Sequence, residues 1–428
     1  MVEMPLKTKG IAMTQVHKRF TGEQIKVLLQ GYCQGNLSRL DIEDMLGIGK
    51  TRFFALLKAY RRDPAAFSID YQRTTRGHLS DETESQIEQE LLREKALVDN
   101  PELPIYDYNY SALVDRLKKQ GIQVSTTTVI KRAKALQCYR PKKKGQVHDR
   151  EVLTASIGDL IQHDASLHKW SPYAAEKWTL ITSIDDYSRM LLYADFVPEE
   201  NSWAHIQAAQ YVLQNFGLPF RYYVDNLRVF RFVQKRDSFW RHHHVLTDEV
   251  DPQWRQVLRE FKVEVIYALS PQAKGKVERP YRWLQDRIVR TCALEQLASL
   301  EEARKVLREE VHRYNYQQVH STTGEVPAIR FANAKKTGNS LFRPFALPKP
   351  YKSAKDVFCL RATRTLDGYR RISLDRHSIE VPKVEVREDV DLRLVPDLAK
   401  NVLEVRIWFE GKMVHSVNLP LNEFRRFT

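Results

Sequence analysis

A chain of 428 residues exceeds what one ordinary hydrophobic core can organise, so two to four domains are expected. With 43% hydrophobic and 29% charged residues, no apolar run of roughly 18 to 20 residues and no apolar centre of a signal peptide near Met1, it reads as a soluble cytoplasmic protein with no membrane partner. A net charge of +14 and a pI near 9.4 call for a polyanion, since Lys and Arg that neutralise phosphates release condensed counterions, and nucleic acid is the leading candidate.

The first elements are helical. The pattern predicts helices at 21–34, 38–46 and 50–62, with a glycine turn at Gly47-Ile48-Gly49. The third helix pairs apolar Phe53, Leu56, Leu57 and Tyr60 with Lys50, Arg52, Lys58, Arg61 and Arg62, which makes 1–72 a candidate helix-turn-helix DNA-binding domain. The run Gly47-Ile-Gly-Lys-Thr imitates the end of a phosphate-binding loop, but Asp44 stands where that loop needs its first glycine and no strand precedes it. A second unit, 73–150, repeats the plan: a helix capped by Ser80 and running to about Val98, then 110–120, a turn at Gly121, and 125–136 carrying Lys131, Arg132 and Lys134. It ends in a basic run with Lys142, Lys143 and Lys144, read as a phosphate-seeking linker. Solvated outer faces are the plainer alternative for either basic helix.

From about Glu151 strands alternate with helices. Strands are expected at 157–164, 178–184, 190–196, 220–224 and 263–268, and helices at 202–216, 252–261, 277–291 and 296–316, which together predict a mixed sheet flanked by helices. Residues 332–360, containing Pro344 to Pro350, read as a linker. Short period-two runs across 361–428 then predict a small all-β barrel. The four cysteines, Cys33, Cys138, Cys292 and Cys359, have no paired spacing, which argues against a zinc finger or a disulfide framework.

Three acids stand in separate patterned segments: Asp164 in Leu160-Ile-Gln-His-Asp-Ala, Asp225 in Tyr222-Tyr-Val-Asp-Asn, and Glu278 in Gly275-Lys-Val-Glu-Arg. Converging carboxylates repel one another, so a site that gathers them needs divalent metal. Hard oxygen donors suit Mg²⁺ or Mn²⁺, and two such ions about 3.5 to 4 Å apart can hold both the attacking and the leaving oxygen of a displacement at phosphorus. Lys274, Lys276, Arg279 and Arg282 surround the third acid and are candidates for DNA-backbone contacts, although basic residues in a first helical turn are often only solvated.

These segments carry a resemblance. From about Glu151 to Phe331, the strand ending in His163-Asp164, the run Ser183-Ile-Asp-Asp-Tyr-Ser-Arg189, Val224-Asp225-Asn226, Ser270 to Arg279, and the later Tyr314-Asn315, His320, Gly324 and Pro327 resemble the integrase core of insertion-sequence transposases and retroviral integrases. The resemblance implies an RNase H-like catalytic core at 151–331 with a DDE site. It places the catalytic, metal-binding acids on Asp164, Asp225 and Glu278, with two Mg²⁺ or Mn²⁺ ions. It further implies a DNA transposase that binds the terminal repeats of a mobile element, cuts strands, and joins the freed 3′-hydroxyl to target DNA. A homodimer or higher assembly and a prokaryotic, nucleoid-associated location go with it. The 53 positions between Asp225 and Glu278 exceed the spacing of many members, and an insertion at about 228–250, bearing Phe230, Phe232, Trp240 and His242-His243-His244, accounts for the excess.

Rival residues have plainer readings. Asp185 and Asp186 read as turn and cap residues, Asp159 and Glu264 as strand acids facing away from the site, His163 and His168 as local hydrogen-bonding groups, and His242 to His244 as a polar hairpin tip. Two other functions compete: a transposase-derived DNA-binding regulator that no longer cuts, and a metal nuclease that hydrolyses without joining.

Overall fold

The computed structural model describes residues 16, 19–69, 79–141, 154–224, 253–267 and 278–424, with 278–280 as backbone only. Cα packing divides the chain into two compact units, Met1–Glu84 and Ser85–Thr428.

In the first unit, helices α1 (Gly22–Cys33), α2 (Arg39–Leu46) and α3 (Lys50–Arg62) enclose a core of Ile25, Leu29, Ile42, Leu46, Phe53, Leu56 and Leu57. Thr21 with Gln24, and Ser38 with Asp41, form reciprocal capping boxes that fix where α1 and α2 begin. Gly47 ends α2 at φ 63, the left-handed conformation that glycine takes without strain.

Helix α4 spans Asp81–Asp99. From Ser85 on it pairs with α5 (Tyr110–Lys119) through Glu90, Glu94 and Arg116, and α5 packs with α6 (Thr126–Ala135); the starts of α5 and α6 are capped by Asn109 and Ser125. The central sheet follows. Its strands are β1 (Leu160–His168), β2 (Trp178–Asp185), β3 (Leu191–Val197), β4 (Arg221–Val224) and β5 (Glu264–Tyr267), ordered β3-β2-β1-β4-β5. The first three pair antiparallel, and β4 and β5 lie parallel to β1, so this is the mixed sheet that the pattern predicts. Helices α7 (Ser202–Phe216) and α8 (Gln253–Glu260) cover one face, and α9 (Glu278–Leu294) and α10 (Leu300–Tyr316) the other. Helix α11 (Pro327–Lys336) follows.

Two boundaries differ from the pattern for local reasons. β1 starts at Leu160 because Gly158 takes φ 74 just before it, and it continues to His168 because its pairing with β2 does not stop at Asp164. α10 starts at Leu300, where Ser299 and Glu302 form a capping box, while Gln296 sits at φ 54 and interrupts the expected helix.

Residues after α11 lie against the core. Leu341 N–H donates to Ile157 at 2.8 Å, and Leu218 and Arg343 exchange backbone bonds at 2.8 and 2.9 Å. The close approach requires glycine: a Cβ on Gly158 would meet the Phe342 ring at 2.6 Å, and one on Gly217 would meet the Arg343 carbonyl at 2.6 Å.

The C-terminal region is sheets where a small barrel was expected. Strands β6 (Leu360–Thr365), β9 (Asp389–Asp397), β10 (Val402–Phe409) and β11 (Lys412–Pro420) form a four-stranded sheet ordered β11-β10-β9-β6, and β7 (Arg371–Leu374) pairs with β8 (His377–Glu380) as a separate hairpin. Closure is not needed to cover its apolar side. Leu392, Leu394, Val405 and Ile407 share one core with Ile372, Leu374 and Ile379 of the hairpin and with Trp254, Val257 and Phe261 at α8. Phe358 stacks on Phe261 at 5.2 Å, and Gln253 makes two hydrogen bonds to the Arg361 backbone, so the last region is welded to the central one.

Candidate active site

The ladder assigns each side chain of β1 to a face. Residues directly opposite in an antiparallel pair share a side, and successive residues alternate. Asp164 pairs with Thr182 and His163 with Ser183, so the aspartate and the histidine point to opposite faces. The Asp164 row lies on the face of Leu180 and Ile184, which pack with Tyr281, Leu284 and Ile288 of α9 and with Leu307 and Tyr314 of α10. Asp164 is only 5% exposed. Beside it the Thr182 hydroxyl donates to the Tyr281 Oη at 2.8 Å. Tyr281 lies one turn into α9, whose first residue is Glu278, so the start of that helix comes down on the row that holds Asp164.

Behind the strand runs a buried polar chain. His163 Nδ1 meets Ser183 Oγ at 2.9 Å, its Nε2 meets His205 Nδ1 at 2.8 Å, and His205 Nε2 reaches Glu200 Oε1 at 3.1 Å. The ring also stacks parallel on Trp254 with centroids 5.5 Å apart. Burial, aided by His205, holds the His163 imidazole well below its ordinary pKa, so it is neutral at pH 7. It ties β1 to α7 and α8 on the side away from Asp164.

The rival acids have structural partners. Asp185 accepts from the Gly158 N–H at 2.8 Å and from Ser188 N–H and Oγ at 2.8 and 2.6 Å. Burial outweighs those bonds and pushes its carboxyl up to about 6. Asp186 accepts from Thr154, Gln162 and Arg189, which makes both acids organisers of the β2–β3 turn. Asp159 pairs with Arg221 at 3.0 Å, Glu264 is exposed, and His168 packs edge-on against Trp170.

The other expected site residues fall as follows. Asp225 is the next residue after Val224, the last of β4, and lies outside the described residues, as do Lys142, Lys143, Lys144, Lys274, Lys276 and the insertion with His242 to His244. Glu278 and Arg279 are described as the backbone of the first turn of α9, and Arg282 is exposed on that helix. Lys50, Arg52, Lys58, Arg61 and Arg62 are all exposed on α3, while on α6 Lys131 and Lys134 are exposed and Arg132 is half-buried. Among the described residues no group of three His, Cys, Asp or Glu side chains is placed to hold a metal ion. No described helix is long and apolar enough to cross a membrane.

Sequence reasoning passed over the charges buried between α4, α5, α9 and α10. Glu94 is fully buried and accepts from Arg290, from Arg116 at 2.9 Å and from the Asn109 N–H at 3.1 Å. Arg287, 3% exposed, reaches Asp115 at 2.7 Å and Glu310 at 3.5 Å. A signal was present. Glu90 and Glu94 stand four apart and flank Leu91 on the same face as Ile87, and Arg287 falls between Leu284 and Ile288 on the buried stripe of α9.

No family model matches the chain. It is similar to a protein of Sinorhizobium fredii named as a transposase, y4bF, at 29% identity over 245 residues, which is 57% of this chain and 49% of the relative. It is also similar to the transposase for insertion sequence IS1202 of Streptococcus pneumoniae, at 29% identity over 177 residues, 41% of this chain and 36% of the relative. The chain thus spans half or less of the length of each of these relatives. Among solved structures, a chain of the simian T-cell lymphotropic virus intasome in complex with a PP2A regulatory subunit aligns with 72% of this chain and 92% of its own, at 13% identity and a TM-score of 0.34. The HTLV-2 integrase catalytic core domain in complex with magnesium aligns with 41% of this chain and 96% of its own, at 16% identity and a TM-score of 0.30.

Proposed function

We propose that the chain is a DNA transposase, with Asp164, Asp225 and Glu278 as its catalytic acids. The observation that carries the reading is the Thr182–Tyr281 hydrogen bond in the ladder row of Asp164, because it sets the helix that starts with Glu278 over the same face of the sheet. Strand β4 supports the second acid. Tyr222 and Val224 belong to the core on the α8 side, and Asp225 follows Val224, the last residue of β4, in sequence. Two relatives named as transposases, similar over part of the chain, point the same way.

The donor set fits a hard divalent cation: a buried carboxylate on a face with the hydroxyls of Thr182 and Tyr281, while the imidazole of His163 points to the opposite face. Asp164, Asp225 and Glu278 would hold two Mg²⁺ or Mn²⁺ ions, which when bound supply charge stabilisation for displacement at phosphorus. The protein's own part is placement. Sheet and helix hold the acids, and Arg282 on α9, with Lys274, Lys276 and Arg279 near it in sequence, steadies the DNA backbone. Water opens a phosphodiester to leave a 3′-hydroxyl, and that hydroxyl then attacks a target phosphodiester and expels a strand end. One ester replaces another, so the joining step consumes no nucleotide. The basic faces of α3 and α6 read the terminal repeats, and two ends must be handled together, which calls for a dimer or a larger assembly.

The test uses labelled element ends, a target plasmid and Mg²⁺. Asp164→Asn is expected to abolish cutting and joining while end binding stays within about twofold of wild type. A variant that cuts at the wild-type rate removes the role given to Asp164. Hydrolysis without joined products in the wild type leaves a metal nuclease in place of a transposase.

A further inference from the structure

Buried charge joins the α4–α6 helices to the outer helices of the central sheet. Arg290 on α9 is 1% exposed; one end of its guanidinium goes to Glu94 on α4, and the other to the Asp107 carbonyl at 2.5 Å and Asp286 at 2.9 Å. Asn109 couples the same parts. Its side chain caps α5 by accepting from Ala112 N–H at 2.9 Å and donates to Asp286, while its own N–H donates to Glu94. Arg116 of α5 closes the group by bridging Glu90 and Glu94, at 2.9 Å each.

Such a group is a poor device for stability alone, because well-packed apolar residues often serve as well as a buried ion pair. What it supplies is direction. A guanidinium donates in a fixed planar fork, so each partner's distance and angle are set together. Helix α9 is therefore held twice: near its start by Tyr281 on Thr182, and about two and a half turns later by Arg290 on Glu94 and the Asp107 carbonyl. Rotation of α9 about its axis breaks both, and its first residue is Glu278.

We infer that Arg290 is a positioning residue for strand cleavage: through Glu94 and the Asp107 carbonyl it keeps α9, and with it Glu278, in register with α5 and α6, so that DNA held by α6 meets the acids at one set distance. This rests on the function proposed above. The helices α4 to α6 act as part of the cutting body, and the spacing between the bound sequence and the cut phosphate is built into the protomer.

The double variant Glu94→Gln/Arg290→Met removes the buried pair without stranding either charge. It is expected to keep its thermal midpoint and its binding to element ends, yet to cut at least tenfold more slowly and at several neighbouring phosphates. Arg290→Lys, which keeps the charge and loses the fork, falls between it and wild type in rate. A folded double variant that cuts at the wild-type rate and position overturns the inference. A second measurement needs no change in the buried group. Lys119 on α5 and Glu309 on α10 pair at 2.6 Å with both side chains more than half exposed. In a Cys33→Ser background, Lys119→Cys and Glu309→Cys joined by a short bismaleimide are expected to cut as the unlinked protein does. Loss of cutting with binding intact means that the helices must undock to work, and it also overturns the inference. Failure of the functional reading looks different: wild-type protein then cuts no DNA, or Asp164→Asn cuts normally.

Discussion

The hydrogen bond between Thr182 and Tyr281 can be weighed by a double-mutant cycle. Thr182 is 1% exposed and Tyr281 8%, so removing either hydroxyl leaves the other in a water-poor site. Tyr281→Phe alone is expected to cost about 1–3 kcal/mol, the desolvation penalty of the Thr182 hydroxyl left behind, and Thr182→Val alone about 0.5–1.5 kcal/mol, the net worth of the lost bond. The double variant replaces both by apolar groups of similar shape and is expected to cost less than the two singles together, giving a coupling energy of about 1–2 kcal/mol. Urea unfolding at pH 7 measures all four corners. Cutting of labelled ends reads the consequence for the site. Even where stability recovers in the double variant, loss of this tie frees the first turn of α9 to shift, and a misplacement of about 1 Å near reacting groups can cost around a hundredfold in rate. Stabilities that add within about 0.5 kcal/mol refute the tie between sheet and helix. A coupled pair whose double variant cuts at the wild-type rate refutes its bearing on the site.

Two more expectations concern the frame around the site. Phe358 is 1% exposed and stacks on both Phe261 and Phe345, so Phe358→Ala is expected to cost about 3–5 kcal/mol; because the core is shared, the central and C-terminal sheets should melt together, and two separate transitions in calorimetry would count against one core. Asp185 is protonated more readily in the folded protein, at about 6 against 3.8, so its contribution is full below about pH 4 and is lost as pH rises through 6. The stability of wild type minus that of Asp185→Asn is therefore expected to fall by on the order of 3 kcal/mol between pH 4 and pH 7, and a difference flat with pH refutes the burial argument.

Local signals were the legible ones. The ends of α3 at Lys50 and Arg62, and of α7 at Ser202 and Phe216, follow from apolar periodicity and nearby capping or turn residues, and both helices occur as the pattern predicts. β6 was missed because Leu360-Arg-Ala-Thr-Arg-Thr has little apolar alternation; it is a strand because β9 offers it a partner. The expected barrel failed for a related reason. Period two identifies the strands, but whether a sheet closes depends on what covers its apolar side, here the β7–β8 hairpin and α8. Within the candidate site, Asp164 stood out by its pattern, whereas the row it shares with Thr182 and Tyr281 joins residues distant in the chain.

What the amino-acid order determined by itself was short-range: the charge that asks for a polyanion, the helices and most strands, and the acids that stand in strand and helix-start segments. Tertiary structure alone decided which faces meet. Glu94 and Arg290 are 196 positions apart, and either one read singly is an ordinary surface charge on a helix. Burying a charge is costly unless a partner arrives, and the partner is chosen by how the helices pack rather than by any neighbour in the chain.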